Sequence, residues 1–132
     1  SGLSSVTRHT PRQMAAVLRY GASGAASGVR LQDVLPTREL GENGRAPSEA
    51  APGNTVRAKS GTLLYADGLV GFLTTRRGRE LGFVILLTDA DARARLDAGR
   101  DTRIAISPPE ATDWTGRAKA LERDLIGRWS AD

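Results

Sequence analysis

The chain contains no cysteine, so disulfide bonds and thiolate metal ligands are excluded. Its single histidine, His9, precedes a helix-capping pattern and reads as a structural or exposed residue rather than a catalyst. Aromatic residues make up only 5% of the 132 positions, while hydrophobic residues at 39% support a single domain with a modest core. No apolar run reaches the roughly 20 residues of a membrane-spanning helix. Lysine occurs only twice, at Lys59 and Lys119. The other 17 of the 19 basic residues are arginines, dispersed among 15 acidic residues for a net charge of +4. Dispersion of that kind forms no basic stripe, so the high isoelectric point does not indicate a nucleic-acid partner. The pair Asp89 and Asp91 lacks the further oxygen ligands of a calcium loop, and no metal site is expected.

Against these absences, one of the two lysines occupies an informative position. In Val56-Arg57-Ala58-Lys59-Ser60-Gly61-Thr62-Leu63, apolar and charged residues alternate as on a half-buried strand, and two hydroxyls then flank a glycine. Lys-Ser/Thr-Gly on a strand edge is the third motif of the serine penicillin-recognising enzymes, beside Ser-x-x-Lys and Ser-x-Asn. The residue types suit the task. An ammonium attracts a substrate carboxylate, and hydroxyls hydrogen-bond to it. Gly61, lacking Cβ, lets a ligand lie against the backbone. The next N–H can face a developing oxyanion. The bland alternative for the same residues is a strand end followed by a tight turn.

Local signals place this strand in an α+β chain. Thr10 as N-cap, Pro11 at the first helical position and Gln13 completing a capping box predict a helix over about 11–20, stopped at Gly21. Residues 21–54 read as loop, with a short helical turn at Leu31–Leu35 and a glycine- and proline-rich excursion over 37–53. Strands are expected over about 55–88. Leu69–Thr75 and Leu81–Thr88 are joined by a turn at 76–79, and Leu81–Leu87, apolar on both faces, is expected in the middle of a sheet. Gly71 and Gly82 mark close approaches of backbone or helix. Residues 89–111 are charged and proline-bounded. A closing helix over about 113–130, capped by Thr112 or Asp113, carries Trp114, Ala118, Leu121, Leu125 and Trp129 as its buried stripe, with Arg117, Glu122, Arg123 and Arg128 opposite.

Three stretches together resemble the C-terminal part of the D-alanyl-D-alanine carboxypeptidase/endopeptidase family, serine peptidases among the low-molecular-weight penicillin-binding proteins. Ser1-Gly2-Leu3-Ser4-Ser5 with Thr10-Pro11-Arg12-Gln13 is similar to the family's Gly-Ser-Gly-Leu-Ser segment and the helix behind it. Val56 to Leu63 is similar to its Val-Arg-Ala-Lys-Thr-Gly-Thr-Leu. Leu69-Val70-Gly71-Phe72-Leu73-Thr74-Thr75, then Gly78 to Phe83, is similar to the hairpin that follows. The resemblance spans roughly residues 1–88.

The resemblance implies an antiparallel sheet flanked by helices, the C-terminal portion of the penicillin-binding protein/β-lactamase-like fold. It also implies acyl transfer on peptidoglycan stem peptides in the periplasm, acylation by β-lactams, and no cofactor. Lys59 and the Thr62 backbone N–H would act in catalysis, and Ser60, Gly61 and Thr62 would bind substrate. Two residues depart from the family pattern, Ser60 in place of the commoner threonine and Asp67 in place of a small or mildly polar residue. Asp67 would add negative charge near a carboxylate-binding site.

Neither Ser-x-x-Lys nor Ser-x-Asn is present. Val56 and Gly116 stand three residues before the two lysines, and Gly41 and Pro52 stand two before Asn43 and Asn54. Residues 1–132 are therefore expected to be one C-terminal part of a transpeptidase-like domain, inactive alone and partnered by an N-terminal part bearing the nucleophile. Two other classes remain open. One is a non-catalytic binding or interaction module of the same fold. The other is a hydrolase chain using Ser1 with its own α-amino group as base.

Overall fold

The computed structural model of the protein describes residues 8–38, 55–99 and 108–132. The Ser1-to-Ser5 segment, and residues 39–53 of the predicted excursion, lie outside the described residues. The elements are α1 (Pro11–Ala22), α2 (Leu31–Val34), β1 (Thr37–Arg38), β2 (Val56–Leu63), β3 (Ala66–Thr74), β4 (Glu80–Thr88), α3 (Ala90–Gly99) and α4 (Pro109–Ser130). The architecture is α+β, a four-stranded antiparallel sheet in the order β1-β2-β3-β4 flanked by helices.

The capping box at α1 is formed. The Thr10 hydroxyl accepts from the Gln13 N–H at 3.2 Å, and the Gln13 side-chain oxygen accepts from the Thr10 N–H at 2.8 Å, an arrangement that typically stabilises a helix by about 1 kcal/mol. Gly21 does not end this helix, which runs on to Ala22 and turns out at Ser23. Gly21 serves contact instead. A Cβ there would lie 2.8 Å from Cβ of Leu31, so its absence lets α2 fold back onto α1. From α2, buried Gln32 donates to Glu80 at 3.1 Å, and its carbonyl accepts from Arg57 at 3.3 Å, tying the helix pair to the sheet.

Alternation gives the sheet two faces. Val56, Ala58, Leu69, Leu73, Phe83 and Ile85 point to one side and form the core with Ile126, Leu125 and Trp129 of α4. The Phe83 and Trp129 rings stand 6.3 Å apart. Gly82 and Phe72 share the other side, where Leu18 of α1 reaches them.

The expectation that Leu81–Leu87 forms the middle of the sheet is not met. Among the described residues β4 pairs only with β3 and is an edge, while β2 and β3 are the interior strands. Helices explain the two-faced apolarity of β4, since α1 lies against it and α4 covers the other side of the sheet. Gly71 is a close approach as expected. A Cβ there would stand 2.1 Å from the Arg57 carbonyl oxygen and 2.6 Å from Cα of Ala58. Gly82 is not, because its nearest neighbour would be at an ordinary 3.6 Å.

Two helices differ from the sequence reading. Residues 90–99 form α3, which begins on Asp89. That side chain accepts from the Ala92 N–H at 2.9 Å, so it is a cap and not half of a cation site. The closing helix begins at Pro109 with Pro108 as N-cap, a turn earlier than Thr112 or Asp113. Its buried positions are Ala111, Ala118, Glu122, Ile126 and Ser130, while Leu121 is exposed. The apolar stripe is thus rotated from the one drawn through the tryptophans. Glu122, assigned to the solvent face, is inside.

Candidate functional site

The motif residues sit on β2, and the pairing pattern of that strand decides what each presents. The Thr74 N–H donates to the Thr55 carbonyl at 2.9 Å, so odd-numbered residues of β2 exchange hydrogen bonds with β3. Even-numbered residues turn their backbone groups outward, as the Ala58 N–H shows by donating to the Pro36 carbonyl at 3.1 Å. β1 pairs only with Val56 and Arg57. Among the described residues no strand continues along β2 past that point. The backbone groups of Ser60 and Thr62 therefore face the outer edge of the sheet.

Side chains follow the complementary alternation. Lys59 and Gly61 project to the α1 side, and Ser60 and Thr62 to the α4 side. Lys59 is exposed, and its ammonium donates to the Ser60 carbonyl, an outward-facing group. That contact brings the positive charge to the same edge as the Thr62 N–H. A Cβ built on Gly61 would meet nothing within 4 Å among the described residues, so among them the α1 face of the strand is open at this position. Ser60 is half-buried.

The strand end is fixed by a two-residue turn. Leu63 pairs with Ala66, and between them Tyr65 takes a left-handed φ of 58°. The Tyr65 carbonyl accepts from the Thr88 hydroxyl at 3.1 Å and the Asp89 N–H at 3.0 Å, and the Leu64 carbonyl accepts from Arg93 of α3 at 3.2 Å. Trp114 of α4 meets the Tyr65 ring edge-on at 6.2 Å.

A charged cluster that the motif gives no hint of lies under this turn. Thr62 and Asp67 are opposite one another in a pair without backbone hydrogen bonds, the spacing that brings cross-strand side chains closest. The Thr62 hydroxyl donates to Asp67 Oδ1 at 2.6 Å. Lys119 of α4 reaches the same oxygen at 2.8 Å and Glu122 Oε2 at 3.2 Å. The Asp67 side chain is fully buried, and Lys119 keeps a third of its surface exposed.

Asp67 Oδ2 and Glu122 Oε1 are buried without a partner among the described residues. Burial, then the negative charge of Asp67, push the Glu122 carboxyl above its ordinary value, and Lys119 opposes the rise. A proton retained by Glu122 and hydrogen-bonded to Asp67 gives both remaining oxygens a partner and leaves the trio neutral.

The sequence alone does not show where the Asp67 charge lies. That charge is neutralised from α4 and is turned away from the outer edge. The Lys59 ammonium and the backbone groups of Ser60 and Thr62 share that edge, while the side chains of Ser60 and Thr62 lie on the α4 side. The Thr62 hydroxyl, read from sequence as a substrate contact, is committed to Asp67 as donor. Among the described residues no group of three or more histidine or acidic side chains has the spacing to hold a metal ion. No helix among them is long and apolar enough to cross a membrane.

The family profile described as D-Ala-D-Ala carboxypeptidase 3 (S13) matches residues 1–107. Carboxypeptidase Rv3627c of Mycobacterium tuberculosis is 36% identical over 101 residues, covering 72% of this chain and 22% of that protein. The chain therefore spans about a fifth of the length of that curated relative. No solved structure matches the chain. The profile match includes α1 through α3 and ends before α4.

Proposed function

The chain belongs to the D-Ala-D-Ala carboxypeptidase 3 (S13) family, and from that membership we propose that it supplies the Lys-Ser-Gly wall of a serine D-Ala-D-Ala carboxypeptidase/endopeptidase active site. The nucleophile, its Ser-x-x-Lys setting and the Ser-x-Asn motif then come from an N-terminal part of the same enzyme. The substrate is a peptidoglycan stem peptide in the cell envelope, and the reaction is acyl transfer.

The observation that carries this reading is the outer edge of β2. There the Lys59 ammonium, an outward Thr62 N–H and the open space over Gly61 lie side by side. A peptide laid along that edge meets a cation and a backbone donor at once. The nucleophilic serine attacks the penultimate carbonyl and gives up its proton to the general base of its own Ser-x-x-Lys setting. The carbonyl oxygen becomes an oxyanion held by the Thr62 N–H and the nucleophile's own N–H. Collapse breaks the peptide bond, and D-alanine leaves with a proton on its nitrogen. Water then cleaves the acyl-enzyme ester. Lys59 and the Ser60 hydroxyl hold the terminal carboxylate through charge-assisted hydrogen bonds. Lys59 also favours proton delivery to the leaving group through the second motif. A β-lactam follows the same course to a stable acyl-enzyme.

The test is the intact mass of the longest native form of the protein after exposure to a penicillin. A covalent gain on the N-terminal part, formed much more slowly in Lys59→Ala, is expected. No gain in a form that includes the upstream region makes the chain a binding module of the same fold.

A further inference from the structure

We propose that Asp67 is a positioning residue for the oxyanion donor, holding the Thr62 hydroxyl so that the Thr62 N–H keeps its aim along the outer edge of β2. This inference rests on the function proposed above and adds a residue to it.

The argument is geometric. Thr62 is the last outward-facing position before the turn, where β2 has passed its neighbour β1 and, among the described residues, pairs only with β3. A peptide plane at such a strand end can rock about its flanking dihedrals unless something outside the ladder restrains it. The 2.6 Å bond from the Thr62 hydroxyl to Asp67 supplies that restraint from the face opposite Lys59 and Gly61. The restraint is itself anchored. Asp67 is buried, bonded to Lys119 at 2.8 Å, and Lys119 is in turn bonded to Glu122 on the next turn of α4. Among the described residues, the groups bonded or coupled to Asp67 are Thr62 from β2 and Lys119 and Glu122 from α4.

Asp67 does not reach the outer edge, so it touches neither substrate nor the reacting carbonyl. It acts through the hydroxyl. Oxyanion stabilisation depends on a donor preorganised to a few tenths of an ångström, and a misplacement of about 1 Å can cost 10²-fold in rate.

The experiment follows acylation by a labelled penicillin in the full-length enzyme, separating the first-order acylation rate constant from the dissociation constant of the initial complex. Thr62→Val and Asp67→Ala are each expected to slow acylation by about 10- to 100-fold, short of the roughly 10²–10³ for outright loss of an oxyanion donor. The dissociation constant stays within about threefold. The double variant is no slower than the slower single, because both remove one bond. Thr62→Ser and Asp67→Asn keep a donor and an acceptor, and they restore most of the rate.

Asp67→Ala also removes one of the two carboxylates that Lys119 is bonded to, leaving Glu122 as its partner. If that variant does not fold, Thr62→Val and Asp67→Asn carry the test. Normal acylation in Thr62→Val overturns the proposal. So does a loss confined to the dissociation constant, which makes the Thr62 hydroxyl a substrate contact. Absence of acylation in the wild-type enzyme fails the underlying function instead, and so is distinguishable.

Discussion

Lys119 Nζ lies 2.8 Å from Asp67 Oδ1, bridging the last helix to the strand that follows the motif. One ammonium therefore compensates a fully buried carboxylate and is bonded to its Glu122 neighbour, on the far side of the sheet from Lys59. The two lysines of the chain have opposite tasks. Lys59 is exposed at an open edge, and Lys119 neutralises the interior behind it.

Lys119→Met should destabilise the protein by about 3 kcal/mol, the low end for breaking a buried pair, because Lys119 keeps 33% of its surface in water. Urea unfolding at pH 7 measures this. Adding Asp67→Asn and Glu122→Gln to that variant should recover most of the loss. An unchanged unfolding midpoint in Lys119→Met would show that the buried carboxylates are compensated elsewhere.

Stability should also fall with rising pH through the titration of Glu122. Its carboxyl is raised above an ordinary value near 4.5. The folded state therefore holds a proton that the unfolded state gives up. That contribution is fully present below the ordinary value and disappears as pH rises through the raised one. Glu122→Gln keeps the neutral shape at every pH. Its advantage over the wild type should grow from acid to neutral pH, read as the difference in unfolding midpoints. A difference that is flat across pH 4–8 contradicts the assignment.

Gly71→Ala should destabilise by about 2–3 kcal/mol, the upper range for overpacking, and Gly71→Val should abolish folding. The added Cβ meets the Arg57 carbonyl and the Ala58 backbone, neither of which is a flexible side-chain tip. Gly82→Ala, one strand away, meets only the Phe72 ring and Leu18 at contact distance and should fold normally. Thermal melting of the two variants side by side separates close approach from a general dislike of side chains in this sheet.

Lys59→Ala in the full-length enzyme should reduce acylation by a labelled penicillin by about 10- to 100-fold, since a hydrogen bond to a charged group contributes about 1.5–3 kcal/mol. Lys59→Arg keeps the charge and should lose less. Melting temperatures of both should match the wild type, because the Lys59 side chain is exposed and packs no core. Unchanged acylation in Lys59→Ala sinks the role assigned to it.

The α+β class, the strand through Lys59 and the capping box at Thr10 were legible because each is a local signal. Alternation over Val56–Lys59 reads directly as one buried and one exposed face, and Thr10 with Gln13 closes within one turn. The place of β4 was not legible. An apolar run buried by a helix on each side looks the same in sequence whether strands flank it or not. Helix α3 escaped notice because it has no apolar stripe. Its one usable signal was Asp89 at the N-cap.

In α4 the two tryptophans drew the stripe toward themselves, and Glu122 went to the solvent face because carboxylates are rarely buried without a partner. Its partner, Lys119, is only three residues away, but that pair reads equally well as a surface one. What decides between the two is Asp67, some fifty residues earlier in the chain. Only the folded sheet brings it there.

The helix that supplies Lys119 falls outside the segment matched by the family profile. An expression clone trimmed to that profile's last residue would retain every letter of the Lys-Ser-Gly signature. It would nonetheless leave Asp67 a solitary anion, with the core face of the sheet stripped of Ile126 and Trp129. Recombinant work guided by domain boundaries alone would then record an insoluble protein and mistake a cloning artefact for a property of the enzyme.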